Sequence, residues 1–182
     1  MVRVLPYIYT NSDKKIFSMK RMLLIGALAF SALASAQAYK GKGDTKLQIG
    51  FNAQDNANGI TGTVDIGIGK NLSYGFSATY LLGADKIGGV KPDFGDRADI
   101  KARLNANIGD VLGIGDVVDV YPGLNLGLRN FGGHLGARYF FTDGFGLFTE
   151  AAVPFAKYDS DVHGFEHYNN QFTFQIGAVF NL

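Results

Sequence analysis

The sequence predicts an all-β fold: an eight-stranded antiparallel up-and-down transmembrane β-barrel. Three observations predict it. First, the last eleven residues alternate. Phe172, Phe174, Ile176, Ala178, Phe180 and Leu182 fall on one face, and Thr173, Gln175, Gly177 and Asn181 on the other, with Val179 the apolar exception. A period of two with one apolar side marks a β-strand. Second, the same pattern recurs along the chain in segments of roughly ten residues, the length of a tilted strand that crosses a bilayer. Third, a short apolar run with a basic head precedes them all.

That run, Met22 to Ala36 after Lys20-Arg21, is shorter than the roughly 20 residues a membrane helix needs. Ala34-Ser35-Ala36-Gln37-Ala38 offers two small-x-small exits, after Ala36 or after Ala38. Basic head, apolar middle and small-residue exit describe a secretory signal peptide. Residues 19–38 are therefore assigned to the signal and 39–182 to the barrel. Met19 suffices as a signal start, so residues 1–18 are read as an extension upstream of the true translation start or as a long n-region. Export followed by a barrel predicts a bacterial outer-membrane location.

Strand one lies near Lys46 to Ala53, with Leu47, Ile49, Phe51 and Ala53 on its apolar face, and Gln54 to Gly59 forms a polar turn. Strand two, Ile60 to Gly69, sets Val64, Ile66 and Ile68 against Thr63, Asp65 and Gly67. Lys70-Asn71 connects it tightly to strand three, Leu72 to Gly83. A long loop, Ala84 to Asp96, precedes strand four. There Ala98, Ile100, Ala102, Leu104, Ala106 and Ile108 alternate with Arg97, Asp99, Lys101, Arg103, Asn105 and Asn107. Strand five runs from Val117 to Arg129, strand six from His134 to Phe141 and strand seven from Phe145 to Lys157. Thr142-Asp143-Gly144 is a tight-turn signal between the last two. A second long loop, Tyr158 to Asn170, leads to the closing strand.

An even strand count puts both ends of the domain on one side, which export makes the periplasm. The loops after strands one, three, five and seven then face outside, and short inner turns with longer outer loops are expected. Tyr74, Phe141, Phe145 and Phe180 fall near inner strand ends, and Tyr80, Phe155 and Phe172 near outer ones. Two such aromatic belts suit the edges of a lipid layer. Pro122 and Pro154 fall within strands and cannot donate ladder hydrogen bonds, so bulges near the strand ends are expected to absorb them.

A soluble barrel also alternates, with its apolar face inward. The membrane reading instead encloses Asp65, Arg97, Asp99, Lys101, Arg103, Asp119, Arg129, Arg138 and Glu150, a near-balanced set. Buried charges need partners, and an eight-stranded interior is just wide enough for side chains to fill. An internal salt-bridge network without an open channel is expected.

Arg138-Tyr-Phe-Phe-Thr-Asp-Gly-Phe-Gly-Leu-Phe-Thr-Glu150 and the closing strand Gln171 to Leu182 resemble small bacterial outer-membrane β-barrels, similar to the transmembrane domain of outer membrane protein A and its short relatives. The resemblance implies insertion by the barrel-assembly machinery. The closing strand, with Phe180 and Leu182 at its end, is similar to the insertion signal, although that signal usually ends in Phe or Trp. It implies no specific ligand.

Composition narrows the chemistry. No Cys means no disulfide, thiolate metal site or lipid-modified N-terminal cysteine. Removing residues 1–36 takes away Arg3, Lys14, Lys15, Lys20, Arg21 and Asp13, which leaves a charge of about −3 and disfavours nucleic acid as a partner. His163, Glu166 and His167, with Asp159 and Asp161, are weak metal-ligand candidates; a solvated polar loop is the plainer reading. His134 is read as a satisfied interior histidine, and Ser73 and Ser77 assemble no triad. No catalytic residue and no cofactor is assigned. The expected role is structural or surface-interacting, with outer-membrane lipid and an extracellular ligand on the loops as partners. The alternatives are a barrel enzyme acting on lipid or peptide, or a narrow pore.

Overall fold

The computed structural model describes residues 37–158 and 164–182. The upstream extension and the signal as far as Ala36, with Asp159, Asp161 and His163, lie outside the described residues.

Eight strands form one closed sheet: β1 (Thr45–Gln54), β2 (Ala57–Gly67), β3 (Leu72–Ala84), β4 (Ala98–Ala106), β5 (Val118–Gly127), β6 (Asn130–Phe140), β7 (Phe145–Lys157) and β8 (Thr173–Asn181). Each pairs antiparallel with the next, and β8 returns to β1 with Leu47 opposite Phe180 and Gly50 opposite Gly177. Closure leaves no strand edge unpaired. The fold is the eight-stranded antiparallel up-and-down barrel that the alternation predicts.

The faces are inverted relative to a water-soluble protein. Ile49, Phe51, Ile60, Phe76, Ile100, Leu104, Leu126, Leu135, Leu147 and Ile176 are exposed on the outer wall. Lys46, Gln48, Asn52, Asp65, Arg103, Asn105, Asp119, Arg138 and Glu150 are buried in the lumen. Rings gather near each rim. Phe145 lies 6.1 Å from Phe141 and 5.5 Å from Phe180 at the end that carries the chain termini. Tyr80 lies 5.2 Å from Phe94, and Phe131 6.0 Å from Phe155, at the far end.

Strand limits differ from the expectation in ways that shorten two far-end turns. β2 starts at Ala57 because Asn56 takes a left-handed φ of 57°, closing a two-residue hairpin opposite Gln54. The expected polar turn to Gly59 instead contains a register shift at Asn58/Gly59. β5 stops at Gly127 and β6 starts at Asn130, so the second hairpin is equally tight. At the terminal end, residues 107–117 form a longer connection containing α2 (Gly109–Leu112). Loop length therefore does not separate the two ends as simply as expected. Residues 85–97, with α1 (Phe94–Arg97), and residues 158–172, with a 3-10 turn (Phe165–Asn169), remain the two long far-end loops.

Both prolines fall where the ladder is interrupted. Pro154 sits at the register shift opposite Phe131/Gly132. Pro122 lies one residue beyond the last β4–β5 pair, Asn105 with Gly123. A residue without an N–H breaks no ladder bond at such places.

Candidate functional site

The site the fold builds is the lumen. Period-two alternation turns every second side chain inward, and antiparallel register sets the inward residues of eight strands in layers. Apolar residues at all those positions would leave the lumen oily; here most are charged, amide-bearing or hydroxylic.

Arg138 on β6 occupies the centre with its side chain fully buried. Its Nη2 donates to Asp65 on β2 and to Gln48 Oε1 at 3.1 Å. Its Nη1 donates to Asp119 Oδ2 and to Asn107 Oδ1, both at 3.4 Å. The Tyr121 ring lies against the guanidinium, 3.8 Å from Cζ to centroid, and the Tyr121 hydroxyl accepts from Gln48 Nε2 at 3.0 Å. Arginine suits this place because one planar fork can satisfy several acceptors while stacking on an aromatic face. Gly136, paired with Tyr121, makes the stack fit: a Cβ at residue 136 would collide with that ring.

Arg103 on β4 forms the second hub. It grips Glu150 on β7 through both oxygens, at 3.2 Å and 2.6 Å, and its Nε lies 3.2 Å from Asp65 Oδ1. Asp65 thus bridges the two arginines. His134 Nε2 is 3.0 Å from Arg103 Nη2 and 2.8 Å from Asn105 Oδ1. Asn105 and Asn107 both donate to Ser73 Oγ, at 3.1 and 3.0 Å. Two arginines stand against three carboxylates; Gln48, Asn107, Asn105 and His134 hold the arginines further and Gly109 N donates to Asp119, so most of these buried charges are paired.

Of the nine charged residues expected inside, the structure brings Asp65, Arg103, Asp119, Arg138 and Glu150 together. Asp99 and Lys101 pair with each other at 3.2 Å nearer the far end. Arg97 and Arg129 depart from the expectation. Arg97 ends α1 and donates to Leu81 O at 2.7 Å and Leu82 O at 2.9 Å, clamping the loop to β3. Arg129 lies in the β5–β6 hairpin and donates to Gly95 O at 2.7 Å. Both lie past the strand ends, where the chain has already turned and alternation no longer fixes a face. The expected network named only charges; Gln48, Asn105, Asn107 and Tyr121 join it from the same polar face, and His134 is the interior histidine expected there. Phe180 and Leu182 of the closing strand lie at the terminal rim, Leu182 exposed.

Each mouth is closed differently. At the terminal end Ala38, Phe140, Phe148 and Val179 form a small apolar cluster inside the wall. Next to Ala38, Tyr39 is buried and donates to Leu72 O at 2.6 Å. Burial, with Asp44 nearby, pushes the Tyr39 hydroxyl up to about 12, so it remains a donor. At the far end the 3-10 turn drops Tyr168 onto Ala57 and Leu81. Gln54 Nε2 donates to Tyr168 O, and Tyr168 Oη donates to Asp85 O at 2.7 Å. Asn169 Nδ2 donates to Asp96 O at 2.7 Å, which joins the two long loops.

Below this cap lies a polar cavity of about 20 Å³, lined by Asn52, Asp99, Lys101, Asn125, Tyr168 and Gln175 among others. Asp99 Oδ1, Asn125 Oδ1 and Gln175 Oε1 find no protein partner among the described residues. A polar cavity of this size suits ordered water. His167 lies half-buried in the cap with its ring 6.4 Å from Tyr168. His163 and the Glu166 side chain fall outside what is described. Among the described residues no three His, Asp or Glu side chains converge as a metal-holding group.

Fold and lumen define a closed barrel with charged contents and an apolar outer wall. The chain belongs to a family of unknown function, DUF6646, whose model matches residues 29–182. No curated protein matches it. Among solved structures it is similar to a barrel from the de novo design of transmembrane β-barrels, with TM-score 0.46 and 11% identity over 79% of this chain and 98% of that one. It is also similar to outer membrane protein G from Pseudomonas aeruginosa, solved by solution NMR, with TM-score 0.43 and 12% identity over 79% of this chain and 99% of that one.

Proposed function

We propose that this chain is an integral outer-membrane β-barrel protein with a closed interior, a short relative in kind of the transmembrane domain of outer membrane protein A, serving a structural or surface-interaction role. One observation carries the reading: the wall exposes a continuous band of large apolar side chains while the ionic groups are sequestered inside. In water that arrangement would expose a patch far beyond what soluble monomers carry; in lipid it is the stable one, because a closed barrel satisfies every backbone group internally.

The plugged lumen favours a scaffold over a conduit. Loop 85–97, joined through Asp96 to Asn169 of the 3-10 turn, offers an outer surface for an extracellular ligand, and the proposal assigns no catalytic role. Export by the N-terminal signal and insertion by the barrel-assembly machinery, guided by Phe180 and Leu182, belong to the same reading.

Membrane fractionation with a gel of boiled and unboiled samples tests it. The mature protein is expected in the outer-membrane fraction, with faster mobility before boiling. A monomer freely soluble in water without detergent overturns it. Planar-bilayer recording is expected to show no steady large conductance.

A further inference from the structure

We infer that the export signal is removed between Ala36 and Gln37, and that the freed residues 37–44 form a built-in stopper of the terminal mouth. The inference rests on the outer-membrane reading above and decides between two cleavage sites the sequence leaves equal.

The argument starts from what lies at residues 37–39. Gln37 is exposed, while Ala38 is 2% and Tyr39 6% exposed. The Ala38 methyl packs with Phe140, Phe148 and Val179, and Ala38 N donates to Asp116 O at 2.6 Å. Cleavage after Ala38 would strip that methyl from the cluster and delete this hydrogen bond. It would also place a new ammonium on Tyr39, a residue only 6% exposed, where taking a charge out of water is costly. Cleavage after Ala36 puts the ammonium on Gln37, in solvent, and leaves every one of these contacts intact.

The segment is tied down along its length. Tyr39 Oη lies 3.1 Å from Gly69 O beside the Leu72 O to which it donates. Gly41 and Gly43 adopt φ of 91° and 88°, bending the chain back so that Gly43 N reaches Gly67 O at 2.8 Å and Gly67 N reaches Asp44 O at 2.7 Å. Gly67 leaves the room for this: a Cβ there would run into Gly41 O and the Tyr39 hydroxyl. Asp44 Oδ2 accepts from Lys40 N at 3.2 Å and pairs with Lys46 Nζ at 2.6 Å, fastening the segment to the first strand. A loose leader remnant would show none of this; the structure treats residues 38–44 as part of the barrel.

Two measurements test the inference on the full protein taken from outer membranes. The intact mass is expected to correspond to a chain starting at Gln37, or to its pyroglutamyl form, in which the α-amine attacks the side-chain amide carbon and ammonia leaves. A start at Tyr39 overturns the inference alone. A start upstream of Gln37 overturns it together with the export reading. The absence of native cysteine makes thiol labelling clean. Tyr39→Cys is expected to resist a water-soluble maleimide until the sample is boiled, whereas Lys40→Cys, at an exposed position, reacts at once. Because Tyr39→Cys also removes the ring and its hydrogen bond to Leu72 O, Ala38→Cys serves as the milder variant. If both buried positions label as fast as Lys40→Cys in the folded protein, the stopper is overturned.

Discussion

Lys101 and Arg103 stand two residues apart on β4, point into the same lumen and each meet an acid, yet their surroundings differ. Lys101 pairs with Asp99 at 3.2 Å, its side chain 18% exposed beside the far-end cavity. Arg103 is 1% exposed and is held by Glu150, with Asp65 shared between it and Arg138. The difference teaches that depth and shared partners, more than the presence of opposite charges, decide what a lumenal ion pair contributes. Near a mouth, water screens the pair and replaces a lost partner. In the middle layer a lost partner leaves a charge with nothing to replace it.

That contrast can be broken by substitution, read as the shift in unfolding free energy of the barrel refolded into lipid or detergent. Arg138→Met is expected to have the largest effect, a loss of about 3–5 kcal/mol, because Asp65 and Asp119 both lose a partner. A loss no greater than that of Lys101→Met would end the comparison. Glu150→Gln should cost about 1.5–3 kcal/mol, since Arg103 exchanges a two-point ionic grip for a neutral amide while keeping Asp65. Gly136→Ala, which changes no charge, is expected to cost about 1–3 kcal/mol by forcing the Tyr121 ring off Arg138; near-UV circular dichroism would report the displaced ring. Lys101→Met should cost less than about 1 kcal/mol, with equal mobility on unboiled gels. Added salt sharpens the contrast at the smallest scale: it should weaken the Lys101 pair and leave the central layer unchanged.

The strands themselves were legible because a period of two survives any reading frame. Asp65, Arg103, Asp119, Arg138 and Glu150 could be put on the inward face for the same reason. Arg97 and Arg129 were misplaced because alternation has meaning only while the strand lasts. A left-handed residue such as Asn56, or a helical turn such as Phe94–Arg97, ends it without a break in the apolar pattern. The docking of Tyr39 was not legible, since it depends on where a distant segment, Leu72, arrives after closure.

By itself, then, the sequence determined the strand count, the two faces and the ionic character of the lumen, because each follows from local alternation of apolar and polar side chains. Only the tertiary structure decided which charges share a layer, that Asp65 serves two arginines, and how each mouth is closed. Those depend on the stagger between neighbouring strands and on closure of β8 against β1, quantities that no single strand contains.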